Sequence, residues 1–207
     1  MMDEKDFAAT FDVSRETMDA LSLYYKLLVK WNNSINLVAK STLGDAWRRH
    51  FVDSAQLWSL APARARSWVD IGSGGGFPGM VVAILAAEQR PDMVVTLVES
   101  DQRKATFLGA VARELRLSPQ ILAVRAELHP PLGADVLSAR ALASLDKLLE
   151  YTERHLAPTG IALFPKGEAA QAELDIARSR WRFSLQVHRS LTDPAAAILA
   201  IEGLSRV

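Results

Sequence analysis

The stretch Trp68–Gly79, WVDIGSGGGFPG, decides the fold of this chain. The apolar run around Val69, Asp70 and Ile71 reads as a short buried strand, and Gly72, Gly74, Gly76 and Gly79 crowd the turn after it. Glycines there free the backbone for positive φ and let a ligand approach with no Cβ in the way. Pro78 suits the first turn of a helix, where its missing N–H costs little. Strand, glycine-dense turn and helix in that order make a nucleotide-cofactor turn.

Two acids strengthen that reading over a plain tight turn. Asp70 lies just before the first glycine, and Glu99 ends the next apolar run, MVVTLVES (Met93–Ser100). That is the spacing expected of a carboxylate that accepts both ribose hydroxyls. NAD and S-adenosylmethionine (SAM) both use such turns. A dinucleotide pyrophosphate wants open N–H groups with no nearby anion, whereas the ammonium and sulfonium of SAM are favoured by an acid beside the turn. Asp70 therefore tips the choice toward SAM, with a dinucleotide as the alternative.

Working outward, strand-like and helix-like segments alternate after Ser67, the pattern of a doubly wound α/β sheet. The expected elements are strand 67–71, helix 78–90, strand 93–98, helix 101–116, strand 120–125, strand 134–139, helix 144–156, a Pro158–Gly160 turn, strand 161–165 and helix 168–180. Strands 181–190 and 195–201 follow with only a turn-rich Leu191–Pro194 link between them, so an antiparallel hairpin closes one edge. Ahead of the glycine turn, apolar positions recur at helical spacing from Ser14, a candidate N-cap, to Asn32-Asn33, and again from Leu43 to Leu60. The expected organisation is a helical extension over 1–62 and a catalytic α/β domain over 63–207.

Composition narrows the class. The chain has 207 residues, 49% of them hydrophobic, with 24 basic and 24 acidic residues and no cysteine. Disulfides, thiolate nucleophiles and cysteine-ligated metals are excluded. His50, His129, His155 and His188 lack metal-ligand spacing, so no metal is expected. No signal peptide or membrane span is apparent, and the expectation is a cytoplasmic monomer. Zero net charge argues against whole-surface capture of naked nucleic acid, leaving local patches such as Arg48-Arg49-His50 and Arg103-Lys104.

In open α/β sheets ligands lie at the carboxyl ends of the strands. The residues there are Asp70 to Gly79, Glu99 to Asp101, Ala126-Glu127, Arg140 and Lys166-Gly167. Ala126-Glu127 is the candidate for an adenine edge, with a plain polar loop as the alternative. Arg140 ends the nearly apolar run ADVLSAR (Ala134–Arg140); it either pairs with an acid or fixes a guanidinium beside the transfer site. Methylation at pyrimidine C5 wants a cysteine, and methylation of an exocyclic base amine usually wants an Asn/Asp-Pro-Pro-aromatic motif where this chain has SARALAS. A ring nitrogen such as guanine N7 carries an exposed lone pair and needs alignment only.

The segments KWNNSINL (Lys30–Leu37), RHFVDS (Arg49–Ser54), VDIGSGGGFPG (Val69–Gly79), LVES (Leu97–Ser100), SARALASL (Ser138–Leu145) and PKG (Pro165–Gly167), in this order, resemble the RsmG (GidB) family of bacterial 16S rRNA guanine-N7 methyltransferases. The resemblance implies a Rossmann-like class I SAM-dependent methyltransferase fold that methylates one guanine in the 530 loop, within the 30S subunit or an assembly intermediate. It implies that Gly72, Gly74 and Phe77 line the cofactor turn, that Asp70, Glu99, Ala126 and Glu127 serve the cofactor, and that Arg140 completes the cofactor or target pocket by positioning. Glu99 stands where the family often has aspartate. Asn36, Arg49, His50, Asp53 and Lys166 become RNA or substrate candidates, although Asn36 and Asp53 also read as helix caps and His50 as packing. A methyltransferase for a small molecule or protein, and a non-catalytic SAM-binding assembly module, are the other functions open to such a chain.

Overall fold

The computed structural model describes residues 3–207; Met1 and Met2, at the start of the expected extension, lie outside the described residues. A seven-stranded sheet in the order β3-β2-β1-β4-β5-β7-β6 forms the centre. Its strands are β1 (Ser67–Ile71), β2 (Val94–Val98), β3 (Gln120–Leu122), β4 (Ala134–Ser138), β5 (Leu156–Lys166), β6 (Trp181–Arg189) and β7 (Ala197–Arg206). The first five are parallel, and β7 runs antiparallel to both β5 and β6. The chain leaves β1 toward β2 on one side and returns to β4 on the other, so a crevice opens beyond their carboxyl ends. The doubly wound sheet and its edge hairpin are as expected from the sequence.

Alternation along the strands divides the core between the two faces. Trp68, Val136, Leu163 and Ala200 point to one side, and Val69, Leu137, Phe164 and Leu199 to the other. Helices α1 (Glu4–Thr10), α2 (Arg15–Asn32), α4 (Gly79–Gln89) and α5 (Gln102–Glu114) cover the first face. Helices α6 (Leu145–His155) and α7 (Ala170–Arg178) cover the second. Residues 79–86 of α4 are buried on every side, because the sheet packs on one flank and the N-terminal segment on the other. Phe7, Leu21, Tyr24, Leu28 and Phe51 thus share one core with Met80, Leu85 and Leu108.

Two local expectations are overturned. The segment from Leu43 to Leu60 is not one amphipathic helix: it is a 3₁₀ turn Lys40–Asp45, a π-helical turn Trp47–Val52, a single α-turn α3 (Asp53–Ala55) and a 3₁₀ turn Trp58–Leu60. The Asp53 N–H reaches back to Arg48 O, which widens the helix as Trp47 and Phe51 pack among Phe7, Tyr24, Tyr25 and Phe77. Pro158–Gly160 is not a turn before the fifth strand but a bulge within β5, where Ala134 pairs with Leu156 and Val136 with Ile161. Gly160 is required there, since a Cβ would meet Ala134 O at 2.7 Å.

Candidate functional site

The site grows from the turn after β1. Gly72, Gly74 and Gly76 take φ of +69°, +56° and +94°, conformations that other residues adopt at a cost. The Gly72 and Ser73 N–H groups donate to Val98 O, which ties the turn to the end of β2. The Glu99 carboxylate, 7% exposed, accepts from Gly74 N at 2.7 Å and from Asp101 N at 2.8 Å. Each of its oxygens keeps a lone pair for a further donor. Tyr24, fully buried, donates to Gly75 O and stacks on Phe77.

The cleft has a volume of about 720 Å³, in the range of small-molecule sites, and the two faces of the switch point supply its walls. Gly72, Gly74, Phe77, Glu99, Asp101 and Arg140 line it, joined by Leu37, Thr42, Arg49, His50 and Asp53 from the N-terminal segment. That segment is brought in by Asn32, which sequence reasoning missed. Buried at the end of α2, its side chain accepts from Leu37 N and Val38 N, both at 2.9 Å, and donates to Val38 O at 3.1 Å. The Leu37 carbonyl then lies against Gly75, 3.2 Å from where a Cβ would stand. A buried asparagine capping a helix end is indistinguishable in sequence from its exposed neighbour Asn33.

Arg140 follows β4 and is mostly covered. Its Nη1 donates to Arg49 O at 2.8 Å and Asp53 Oδ2 at 3.1 Å, and its Nη2 meets His50 Nδ1 at 2.9 Å. Its guanidinium lies 5.3 Å from the Phe77 ring centre. His50 is held neutral: burial, then the Arg140 and Arg49 charges, push its pKa down to about 3. Asp53 Oδ1 accepts from Thr192 Oγ1 at 3.1 Å, so the β6–β7 link closes the far wall.

Four candidates stand elsewhere than expected, and a fifth, Lys166, lines the cleft with its charge already paired. Asp70 does not face the cleft: it is fully buried, accepting from Ser138 Oγ at 2.8 Å and Gly79 N at 3.1 Å. Burial raises its pKa to about 6, against those hydrogen bonds. Ala126 and Glu127 do not line the cleft, because the 3₁₀ turn Ala126–Leu128 tucks against α6, with Ala126 O bonded to His155 Nε2 at 2.9 Å and Tyr151 Oη 3.4 Å from Glu127. Asn36 is exposed and also outside it. Lys166 lines the cleft, but its ammonium is spent on Glu173 at 2.8 Å and Ala143 O at 2.9 Å, bracing the start of α6. Among the described residues no group of three His, Cys, Asp or Glu side chains is placed to hold a metal.

The residues fit SAM. Space before Gly74 is open, a Cβ there meeting only Gly72 O at 3.8 Å, and the Glu99 carboxylate stands at the strand end where a ribose is held. Known folds agree. A SAM-dependent methyltransferase from Aquifex aeolicus superposes with a TM-score of 0.57 at 12% identity, covering 76% of this chain and 92% of that one. A TehB-like SAM-dependent methyltransferase from Corynebacterium glutamicum gives 0.58 at 14% identity, over 88% and 98%. The fold is that of the class I SAM-dependent methyltransferases.

The family model for rRNA small subunit methyltransferase G (GidB) matches residues 17–197. A ribosomal RNA small subunit methyltransferase G from Ruegeria sp. is 52% identical over 196 residues, 95% of each chain. Its namesake from Cereibacter sphaeroides is 50% identical over 206 residues, with both chains covered completely. The chain belongs to the rRNA small subunit methyltransferase G family.

Proposed function

We propose that this protein, a cytoplasmic monomer, transfers the methyl group of SAM to N7 of a guanine in the 530 loop of 16S rRNA, presented by the 30S subunit or an assembly intermediate. The observation that carries this reading is half-identity along the whole chain to rRNA small-subunit methyltransferases, seated on a cleft built for positioning. SAM supplies an electrophilic methyl group, and the chain's own residues align the acceptor. Glu99 and the Gly72–Gly74 backbone hold the cofactor. Arg140 keeps Nε–H and one Nη2–H free of protein partners among the described residues, two of the donors of its guanidinium, and these serve a cofactor or target oxygen. Among the described residues the one imidazole lining the cleft is engaged at both nitrogens, as expected where the nucleophile is a ready lone pair.

RNA is met at the rim. Of the basic side chains lining the cleft, Arg48, Arg140 and Lys166 are bonded to Asp45, Asp53 and Glu173. Arg49 and Lys104 make no side-chain ion pair among the described residues and are free for phosphates. Radiolabelled SAM with 30S subunits lacking the modification, followed by N7-methylguanosine-specific strand cleavage, tests the proposal. One cut in the 530 loop is expected; SAM binding without incorporation would sink it.

A further inference from the structure

We propose that His50 is a positioning residue for Arg140, a neutral imidazole protonated on Nε2 that holds the guanidinium at the transfer end of the cleft. The inference rests on the reading that Arg140 serves methyl transfer. It starts from donor arithmetic. Arginine only donates, so the 2.9 Å contact between Arg140 Nη2 and His50 Nδ1 requires an unprotonated Nδ1. The ring proton of a neutral imidazole then sits on Nε2, which lies 2.8 Å from Thr42 Oγ1. Thr42 accepts it, because its own hydroxyl donates to Ala39 O at 2.7 Å. The hydrogen bonds run one way, into a main-chain carbonyl, and fix the tautomer.

The surroundings hold that state. The imidazole stacks on Phe77 with ring centres 5.0 Å apart and planes 30° from parallel, and it is 8% exposed. Arg140 and Arg49 are the cations facing it, with Asp45 the opposing charge. An imidazolium would set donor against donor. Arg140 needs such a holder because the next residue, Ala141, takes a left-handed φ of +52° and turns the chain toward Leu142, which packs over Gly72. From that turn a flexible arginine side chain reaches across to the N-terminal segment. Arg49 O and Asp53 seat Nη1 alone, leaving the Nη2 side of the guanidinium without a partner from either. His50 supplies the third point, on Nη2.

Nitrogen-15 NMR of histidine-labelled protein, with the His50 signals assigned by their loss in His50→Asn, reads the tautomer directly. Protonated Nε2 and bare Nδ1 at neutral pH are expected; a proton on Nδ1, or on both nitrogens, overturns the proposal. Activity on 30S subunits separates holding Arg140 from filling space. An asparagine oxygen replaces the Nδ1 acceptor, whereas a glutamine amide reaches the Nε2 position toward Thr42. His50→Asn should stay within about threefold of wild-type kcat, and His50→Gln and His50→Ala should lose roughly 10- to 100-fold, the worth of a hydrogen bond to a charged group. Gln matching Asn, or Ala matching wild type, overturns it. If Ala fails to fold, the Asn–Gln comparison still decides. Should wild-type protein leave 30S rRNA unmethylated, the functional reading falls instead, and the same variants are ranked by SAM affinity measured calorimetrically: Asn above Gln sustains the proposal, and equal affinities overturn it.

Discussion

Glu99 Oε2 accepts the Gly74 N–H at 2.7 Å, so the acid at the end of β2 and the glycine turn after β1 form one hydrogen-bonded unit. The same carboxylate also holds Asp101 N, the N-cap of α5. Glu99→Ala removes both anchors along with the proposed ribose acceptor, and SAM affinity should fall by about 100-fold, near 2.7 kcal/mol. Glu99→Gln, which keeps one acceptor oxygen, should lose about tenfold. Calorimetric titration with SAM checks both; unchanged affinity in the alanine variant would remove Glu99 from the cofactor site.

Gly79 matters by contact rather than by φ. A Cβ there would stand 2.3 Å from Leu97 Cδ2 and 2.7 Å from Asp70 Cβ, inside a core with nowhere to yield. Gly79→Ala should destabilise the fold by about 2–4 kcal/mol in urea unfolding. An alanine variant as stable as wild type would show that α4 can shift along β1.

Asp70 gives the stability a pH slope. Its pKa is raised by burial from 3.8 to about 6, so the folded state prefers the protonated acid. Its contribution is fully present below about pH 4 and is lost as pH rises through about 6, a change of roughly 3 kcal/mol. His50 acts in the opposite sense: with its pKa lowered from 6.5 to about 3, stability falls as pH drops through that window. Asp70→Asn should therefore lose less stability than wild type between about pH 4 and pH 7, as read from denaturant midpoints at each pH. Parallel curves for the two proteins would mean that Asp70 is ionised at no cost.

Arg49 and Lys104 carry the expected RNA contacts. The Arg49 side chain is exposed while its carbonyl serves Arg140, so Arg49→Gln spares the Arg140 network. Arg49→Gln and Lys104→Gln should each weaken 30S binding and make the log–log dependence on salt shallower by about 1. SAM affinity, measured alongside, separates a phosphate contact from a cofactor contact. An unchanged salt slope in both variants would place the RNA elsewhere.

The glycine turn, Glu99 and Arg140 were legible because each follows an apolar strand, and strand ends in an open sheet converge on one crevice. Asp70 misled for a physical reason. An acid beside a glycine turn reads as facing a cation, yet strand alternation turns this one inward, where Ser138 and Gly79 satisfy it. Lys166 likewise sits at a strand end, but Glu173, one helix later, takes its charge. Ala126 and Glu127 follow a strand of only three residues, and the turn after it folds toward α6 instead of the cleft.

The sequence by itself determined the doubly wound sheet, its closing hairpin and the cofactor turn, because these follow from local periodicity and from backbone freedom at glycine. Only the tertiary structure decided how the N-terminal segment joins the site. Asn32, His50, Asp53 and Thr42 come to Arg140 and the glycine turn through long-range packing on α4 and a π-helical widening around Phe51. Which face of such a turn meets the sheet depends on side chains distant in sequence, and no local pattern records it.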